Sequence, residues 1–246
     1  MTLPVHWVES LAGVRRGDPV EVDGDEAHHA VAVRRMRPGE GVVVTDGRGH
    51  RLTGTVAETG RRRLVVTADD VERLPEPTPA VTVVQALPKG DRGELAVELL
   101  TEIGVSRVVP WAASRSVAVW RGERAAKSLT RWRSTAREAA KQSRRAWFPE
   151  VTEPATIGEV STLLSAADLA VVLHETATTS LAAVDVPESG SLVVVVGPEG
   201  GLTGEEVAAF ATAGARAVRL GDEVLRTSTA GLAAVAALLA RTPRWT

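Results

Sequence analysis

Residues 192–239 read LVVVVGPEGGLTGEEVAAFATAGARAVRLGDEVLRTSTAGLAAVAALL, and the fold class follows from them. The first five, residues 192–196, are an unbroken leucine and valine run closed by Gly197-Pro198. A run that is apolar at every position, not at alternate ones, is the pattern of a central parallel strand covered on both faces. Gly200 and Gly201 follow at its carboxyl end. Open α/β sheets take their ligands at that edge, and glycines there bring bare backbone N–H groups close to a small molecule. A plain strand-to-helix turn would use the same residues. The second half repeats the arrangement, with a strand over 216–220, a turn opening on Leu220-Gly221, and Thr227-Ser228-Thr229 placed to cap a helix over 230–239. The expected class is α/β, with two ligand-facing turns in one βαβα unit.

Upstream, residues 81–87 predict another buried strand, and Lys89-Gly90-Asp91-Arg92-Gly93 feeds a helix over 94–103 stopped by Gly104. Strands are expected over 108–112 and 167–173, the latter ending in His174-Glu175. Between them a long helix over 123–142 carries Leu129, Trp132, Ala136, Ala139 and Ala140 as an apolar stripe at spacings of three and four. PEPTP at 75–79 reads as a stiff linker. Before it lies a β-rich region with short strands over 42–46, 51–57 and 63–68 and one helix over 27–36. Asp25-Glu26 would cap that helix and Pro38-Gly39 stop it. Two domains are expected, 1–74 and 75–246.

Composition narrows the function classes. A chain of 246 residues, 44% hydrophobic, can bury the cores of two domains. The absence of cysteine excludes disulfides and cysteine-rich zinc sites. His28 and His29 would point about 100° apart on a helix and so cannot share a metal in the i, i+4 manner; no metal is expected. The N-terminus, MTLPVHWVES, lacks a basic segment followed by an apolar one, and no apolar run reaches the ~20 residues that span a bilayer. The expectation is a cytoplasmic enzyme without a membrane partner. Neither GxxxxGK[ST] nor GxGxxG occurs, which argues against P-loop and Rossmann dinucleotide chemistry.

The net charge of −2 conceals an asymmetry: residues 107–145 carry eleven basic side chains against two acidic ones, a local +9 against −11 elsewhere. Such a segment is an electrostatic footprint for RNA. With no tyrosine and two phenylalanines, stacking would rest on Trp120 and Trp147, so recognition should rely on phosphates and shape. Arg34, Arg35 and Arg37 end the first helix, either to hold phosphates or as a solvated end favoured by the helix dipole.

GPEGGLTGEE at 197–206 and LGDEVLRTSTA at 220–230 resemble the paired signature loops of the SPOUT methyltransferases, most closely those of the RsmE family, which methylates uridine N3 in small-subunit ribosomal RNA. HHAVAVRRMRPG at 28–39 resembles that family's N-terminal domain, and ELAVELLTEIGVSRVVP at 94–110 the start of its catalytic domain. The resemblance implies a PUA-like RNA-binding β-barrel over 1–74. Over 75–246 it implies a SPOUT domain whose last fifty or so residues form a trefoil-knotted S-adenosylmethionine site. Periodicity alone would have argued against a knot, because chains almost never thread their own loops. The implied cofactor residues are Leu173, His174, Gly197, Pro198, Glu199, Gly200, Gly201, Leu220, Gly221, Val224, Leu225 and Thr229. His174 reads equally as a satisfied strand-end histidine.

For catalysis, Arg226 is suited to stabilising a developing uracil anion or fixing the cofactor carboxylate, and Glu199 to acting as general base. The family pattern has glutamate where this chain has Ser228, which removes one possible base. The RNA-binding set is Arg34, Arg35, Arg37, Lys89, Arg92, Arg115, Arg133, Lys141, Arg144 and Arg145. The implied partners are 16S ribosomal RNA or the small subunit, and a second copy through the knotted domain. The apolar helix over 231–239 would supply the dimer surface, although a helix buried within the chain would look the same. Two other readings stand: ribose 2′-O methylation by a related SPOUT enzyme, and a non-catalytic RNA-binding protein of the same fold.

Overall fold

The structure, a computed structural model, describes residues 3–245; Met1, Thr2 and Thr246, at the ends of the two expected domains, lie outside it. The chain divides into two units, one running to Glu76 and including Ala140–Phe148, the other made of Pro77–Ala139 and the residues from Pro149 onward.

The first unit contains β1 (Val5–Trp7), β2 (Pro19–Asp23), α1 (Gly24–His28), β3 (Gly41–Thr45), β4 (His50–Gly60) and β5 (Arg63–Arg73). They form a five-stranded sheet in the order β1-β3-β4-β5-β2, antiparallel except for β1 beside β3. Val22, Val42, Val44, Leu52, Val56, Leu64 and Val66 are its buried face; each such side chain contributes roughly 1.5–3 kcal/mol. The helix expected over 27–36 starts earlier and is irregular: α1 begins at Gly24, and a π-helical turn, His29–Val33, follows. Arg35, at φ 56°, closes it ahead of Pro38-Gly39. The expected cap is not made, because Asp25 pairs with Arg62 at 2.6 Å and Glu26 turns inward to Lys141 and to His6 Nδ1 at 3.5 Å. Burial alone would raise the Glu26 carboxyl, but the bonds from His6 and Lys141 hold it at about 2.

The expected division at residue 75 omits a piece of chain that the structure places in this unit. Ala146 O accepts the Gly49 N–H at 2.9 Å, the Phe148 N–H donates to Gly47 O at 2.9 Å, and Trp147 Nε1 donates to Leu74 O at 3.0 Å. Gly49, at φ +95°, allows this approach; a Cβ there would lie 2.6 Å from the Trp147 ring.

The second unit contains, in order, β6 (Ala80–Ala86), α2 (Arg92–Glu102), β7 (Arg107–Trp111), α3 (Gly122–Gln142), β8 (Glu150–Val151), α4 (Ile157–Ser165), β9 (Leu169–Leu173), β10 (Ser191–Val196), α5 (Gly204–Thr212), β11 (Arg216–Val218) and α6 (Thr227–Leu239). Residues 140–142 of α3 belong with the first unit. The six strands are all parallel, in the order β11-β9-β10-β6-β7-β8. On β10, Leu192, Val194 and Val196 pack with Leu100 of α2, Trp132 of α3 and Leu238 of α6, whereas Val193 and Val195 pack with Val160 of α4 and Phe210 of α5. Helices on both faces explain why no position of the valine run is polar.

Two expectations for the last helix are corrected. It starts at Thr227, three residues early, with Arg226 as N-cap and no side-chain cap, so Thr227 and Ser228 are buried in its first turn. Gly231, Ala234, Val235, Leu238 and Leu239 are buried inside the chain's own core, and a Cβ on Gly231 would come within 3.2 Å of Leu100. That face is therefore not available to a second copy. Trp120 and Trp147 are structural too: Trp120 packs edge-on to Trp132 at 5.0 Å, and Trp147 bonds Leu74.

Candidate cofactor and RNA site

A cavity of about 590 Å³ lies at the carboxyl ends of β9, β10 and β11, within the size range of small-molecule sites. Eleven of the twelve expected cofactor residues line it: Leu173 at the end of β9 and His174 after it, residues 197–201 after β10, and Leu220, Gly221, Val224 and Leu225 after β11. Thr229 does not; its Oγ1 donates to Arg226 O at 3.2 Å within the helix turn. Both expected catalytic residues, Glu199 and Arg226, are in the lining, as are Arg92 and Arg115 from the expected RNA set. Asp222, Glu223 and Thr227 line it as well. They had a signal, since all three fall inside the quoted loop motif, but nothing in the pattern distinguishes them from solvated turn residues. Glu175 had the same standing beside His174.

The loop after β10 is held from behind. Gly200 sits against Arg115, where a Cβ would come within 3.0 Å of both Arg115 Cβ and Arg115 O; Gly201 has φ +71°. Only glycine meets both demands without displacing the chain. Arg115 Nη1 donates to Gly200 O at 3.3 Å and to Leu202 O at 3.4 Å. Glu199 uses one oxygen, Oε1, to accept the Lys89 N–H at 3.2 Å, and Oε2 has no hydrogen-bond partner among the described residues.

His174 lines the cavity and is also bonded at the strand end. Its backbone N–H donates to Val218 O at 2.9 Å, and Nδ1 accepts the Thr176 N–H at 3.4 Å while the residue lines the cavity. An accepting Nδ1 puts the neutral ring's proton on Nε2. Ser228 lies in the first turn of α6, 1% exposed, with no hydrogen-bond partner for Oγ among the described residues, and it is outside the lining. Gln85, which the sequence did not single out, is buried beside it and donates Nε2 to Thr227 O at 3.3 Å, tying the end of β6 to the start of α6.

The chemistry of the lining matches a nucleoside joined to an amino acid. Leu173, Val196, Leu220, Leu225 and Ala230 give apolar surface for a base, while Glu175, Asp222 and Glu223 offer acceptors for hydroxyl or ammonium groups. The guanidiniums of Arg92 and Arg226 have no ion-pair or hydrogen-bond partner among the described residues and suit a carboxylate or a polarised carbonyl.

The basic segment separates into tied and untied groups. Lys141 leaves the RNA set: it is 9% exposed and committed to Glu26. Arg133 donates to Val151 O at 3.0 Å and to Glu153 at 3.1 Å; Arg107 and Arg131 pair with Glu150 and Glu94. Arg121, Arg124 and Lys127 are exposed and have no such partner among the described residues. Arg34, Arg35, Arg37 and Arg144 are exposed, as is Lys89, whose side chain is outside the cavity lining.

The chain resembles known proteins over its whole length. A family model described as the RNA methyltransferase domain matches residues 75–239, and one described as the RNA methyltransferase PUA domain matches residues 22–69. Ribosomal RNA small subunit methyltransferase E of Mycobacterium bovis is 47% identical over 249 residues, covering 100% of this chain and 94% of its own length. The protein of that name from Bacillus subtilis is 31% identical over 228 residues, 88% of each. The crystal structure of ribosomal RNA small subunit methyltransferase E from Neisseria gonorrhoeae bound to S-adenosyl methionine matches with a TM-score of 0.85 at 28% identity, over 96% of each chain.

Proposed function

The chain belongs to the RNA methyltransferase family, and from that premise we propose that it methylates N3 of one uridine in 16S ribosomal RNA, using S-adenosylmethionine. The observation that carries this reading is the cavity at the strand ends, where the two loop motifs meet and Arg226, whose guanidinium has no partner among the described residues, shares one lining with a half-used Glu199. The cofactor, when bound by residues 173–174, 197–201 and 220–225, supplies an electrophilic methyl group.

The chain's own residues do the rest. Methylating N3 removes a weakly acidic N–H, leaving negative charge on the uracil oxygens at either side. Arg226 lies at the N-terminus of α6, where its uncommitted guanidinium and the helix's free N–H groups together stabilise such an oxygen. Glu199 Oε2 accepts the proton, while the Lys89 N–H on Oε1 orients the carboxylate. Because position 228 is outside the cavity lining, this assignment asks nothing of Ser228.

The same proposal includes a SPOUT-type trefoil crossing of the C-terminal segment, the first unit as a PUA-like RNA-binding module, and action in the cytoplasm. Among the described residues no helix is long and apolar enough to cross a membrane. A second copy would cover the half-buried Leu232, Ala233 and Ala236 of α6, the face that the chain's own core leaves open. RNA would be held by the untied basic residues, with Arg34, Arg35, Arg37 and Arg144 as further candidates. Transfer of a labelled methyl group to ribosomal RNA, followed by nucleoside digestion and mass spectrometry, tests the reaction: 3-methyluridine is expected. A methylated ribose would replace this reading with the 2′-O one, and no transfer at all would leave an RNA-binding protein.

A further inference from the structure

Behind the cavity, outside its lining, lies a carboxylate that the proposed chemistry does not use. Glu206 on α5 is 3% exposed, and its two oxygens go to two different loops. Oε2 accepts the Thr203 N–H at 2.8 Å while Thr203 Oγ1 accepts the Glu206 N–H at 3.2 Å, a capping box. Oε1 accepts the Ser114 N–H at 2.7 Å, from the loop after β7. An ordinary capping box needs only the first pair of bonds. Burial alone would raise the Glu206 carboxyl, but the N–H groups of Ser114 and Thr203 outweigh it and hold it below the usual range. The neighbouring Arg115 reaches the other way, with Nη1 on Gly200 O and Leu202 O. β6 stands between β7 and β10, so these bonds bridge the end of a whole strand.

We propose that Glu206 and Arg115 act as one brace, a pair of positioning residues that fix the backbone of residues 197–203 and so the shape of the cofactor pocket. The inference rests on the cofactor reading above. It also moves Arg115 from RNA contact to loop support. Glutamate is required because the site needs two acceptors: glutamine would turn an NH₂ donor toward the N–H of either Ser114 or Thr203 and break one arm. Arginine is replaceable in part, since a lysine ammonium can still donate to the two carbonyls.

Calorimetry with S-adenosylhomocysteine on the full chain tests the brace. Glu206→Gln and Arg115→Ala should each weaken binding on the order of 10-fold, the usual consequence of losing hydrogen bonds to a charged group. Arg115→Lys should recover most of the affinity. The double variant should lose no more than the weaker single one, because the two residues serve one device. Thermal melts identify any variant that fails to fold, and Arg115→Ala, at an exposed position, serves if Glu206→Gln does. Folded variants that bind like wild type overturn the brace, and additive losses overturn its unity. A wild-type chain that does not bind S-adenosylhomocysteine overturns the cofactor reading, and the brace with it.

Discussion

The two motif loops in the cavity lining are held in different ways. Residues 197–203 have the carbonyls of Gly200 and Leu202 on Arg115, their last N–H on Glu206 and a glycine pressed against Arg115. Residues 219–226 are bonded through the backbone at their two ends, Arg219 to Thr179 and Leu181 and Arg226 O to the first turn of α6. Between them the side chains make one ion pair among the described residues, Arg219 with Asp222 at 3.2 Å, while Val224 and Leu225 are 76% and 41% exposed and the Arg226 guanidinium has no partner among the described residues. The first loop is a preformed wall. The second presents groups whose bonding capacity is unused, which is what a reacting ligand requires, because a donor already satisfied by protein has nothing to give a developing charge. The same division runs through α3, where Arg131 and Arg133 are tied and Arg124 and Lys127 are not.

The largest expected effect comes from the wall. Gly200→Val should abolish detectable binding of S-adenosylhomocysteine in calorimetry while the protein still folds. The obstacle is not the cavity side: a Cβ at 3.0 Å from Arg115 Cβ and O must push the loop off its support. Normal affinity would show that the loop's position does not matter.

On the free side, Arg226→Ala should lower methyl transfer on the order of 100-fold, comparable to loss of a principal oxyanion donor. Its fold and RNA affinity should stay near wild type, since the guanidinium supports no other described residue. Full activity in this variant would remove Arg226 from the mechanism and make the second loop as passive as the first.

The place of the two loops was legible in the sequence; which of their groups are held was not, and the illegible part has a physical cause. Eight of the eleven strands and the cavity edge follow from local pattern, as the apolar run 192–196 does for a doubly covered strand; β1, β2 and β8 are too short or too polar to stand out. The residues of the two motifs gather in one cavity because both follow strands of one parallel sheet. Which side chains are free could not be read, since it depends on partners far away: Lys141 meets Glu26 across 115 positions and Ser114 meets Glu206 across 92. The start of α6 was misplaced for a related reason. Thr227 and Ser228 look like caps, but tertiary burial draws them into the helix.

The basic helix gives the next effect. Replacing Arg124 and Lys127 together with alanine should weaken RNA binding and flatten its salt dependence by up to about two phosphate contacts' worth of slope. Arg133→Ala, whose side chain is already bonded to Val151 and Glu153, should leave the slope unchanged. Equal slopes for both variants, read from filter binding over a salt series, would erase the distinction between tied and untied charge.

The smallest effect separates the two loops by stability. Val224 is 76% exposed, so Val224→Ala removes almost no buried surface, and unfolding in denaturant should shift by no more than about 0.5 kcal/mol. Because Val224 lines the cavity, affinity for S-adenosylhomocysteine should still fall a few-fold, as expected for about 0.8 kcal/mol per methylene-sized contact. Leu202 in the first loop makes the opposite case. It is 7% exposed and packs in the core beneath β10, so Leu202→Ala should lose on the order of 2–5 kcal/mol of stability. If Val224→Ala destabilises the protein as much as Leu202→Ala does, the second loop is part of the scaffold, and the free groups that the chemistry needs must be sought elsewhere in the cavity.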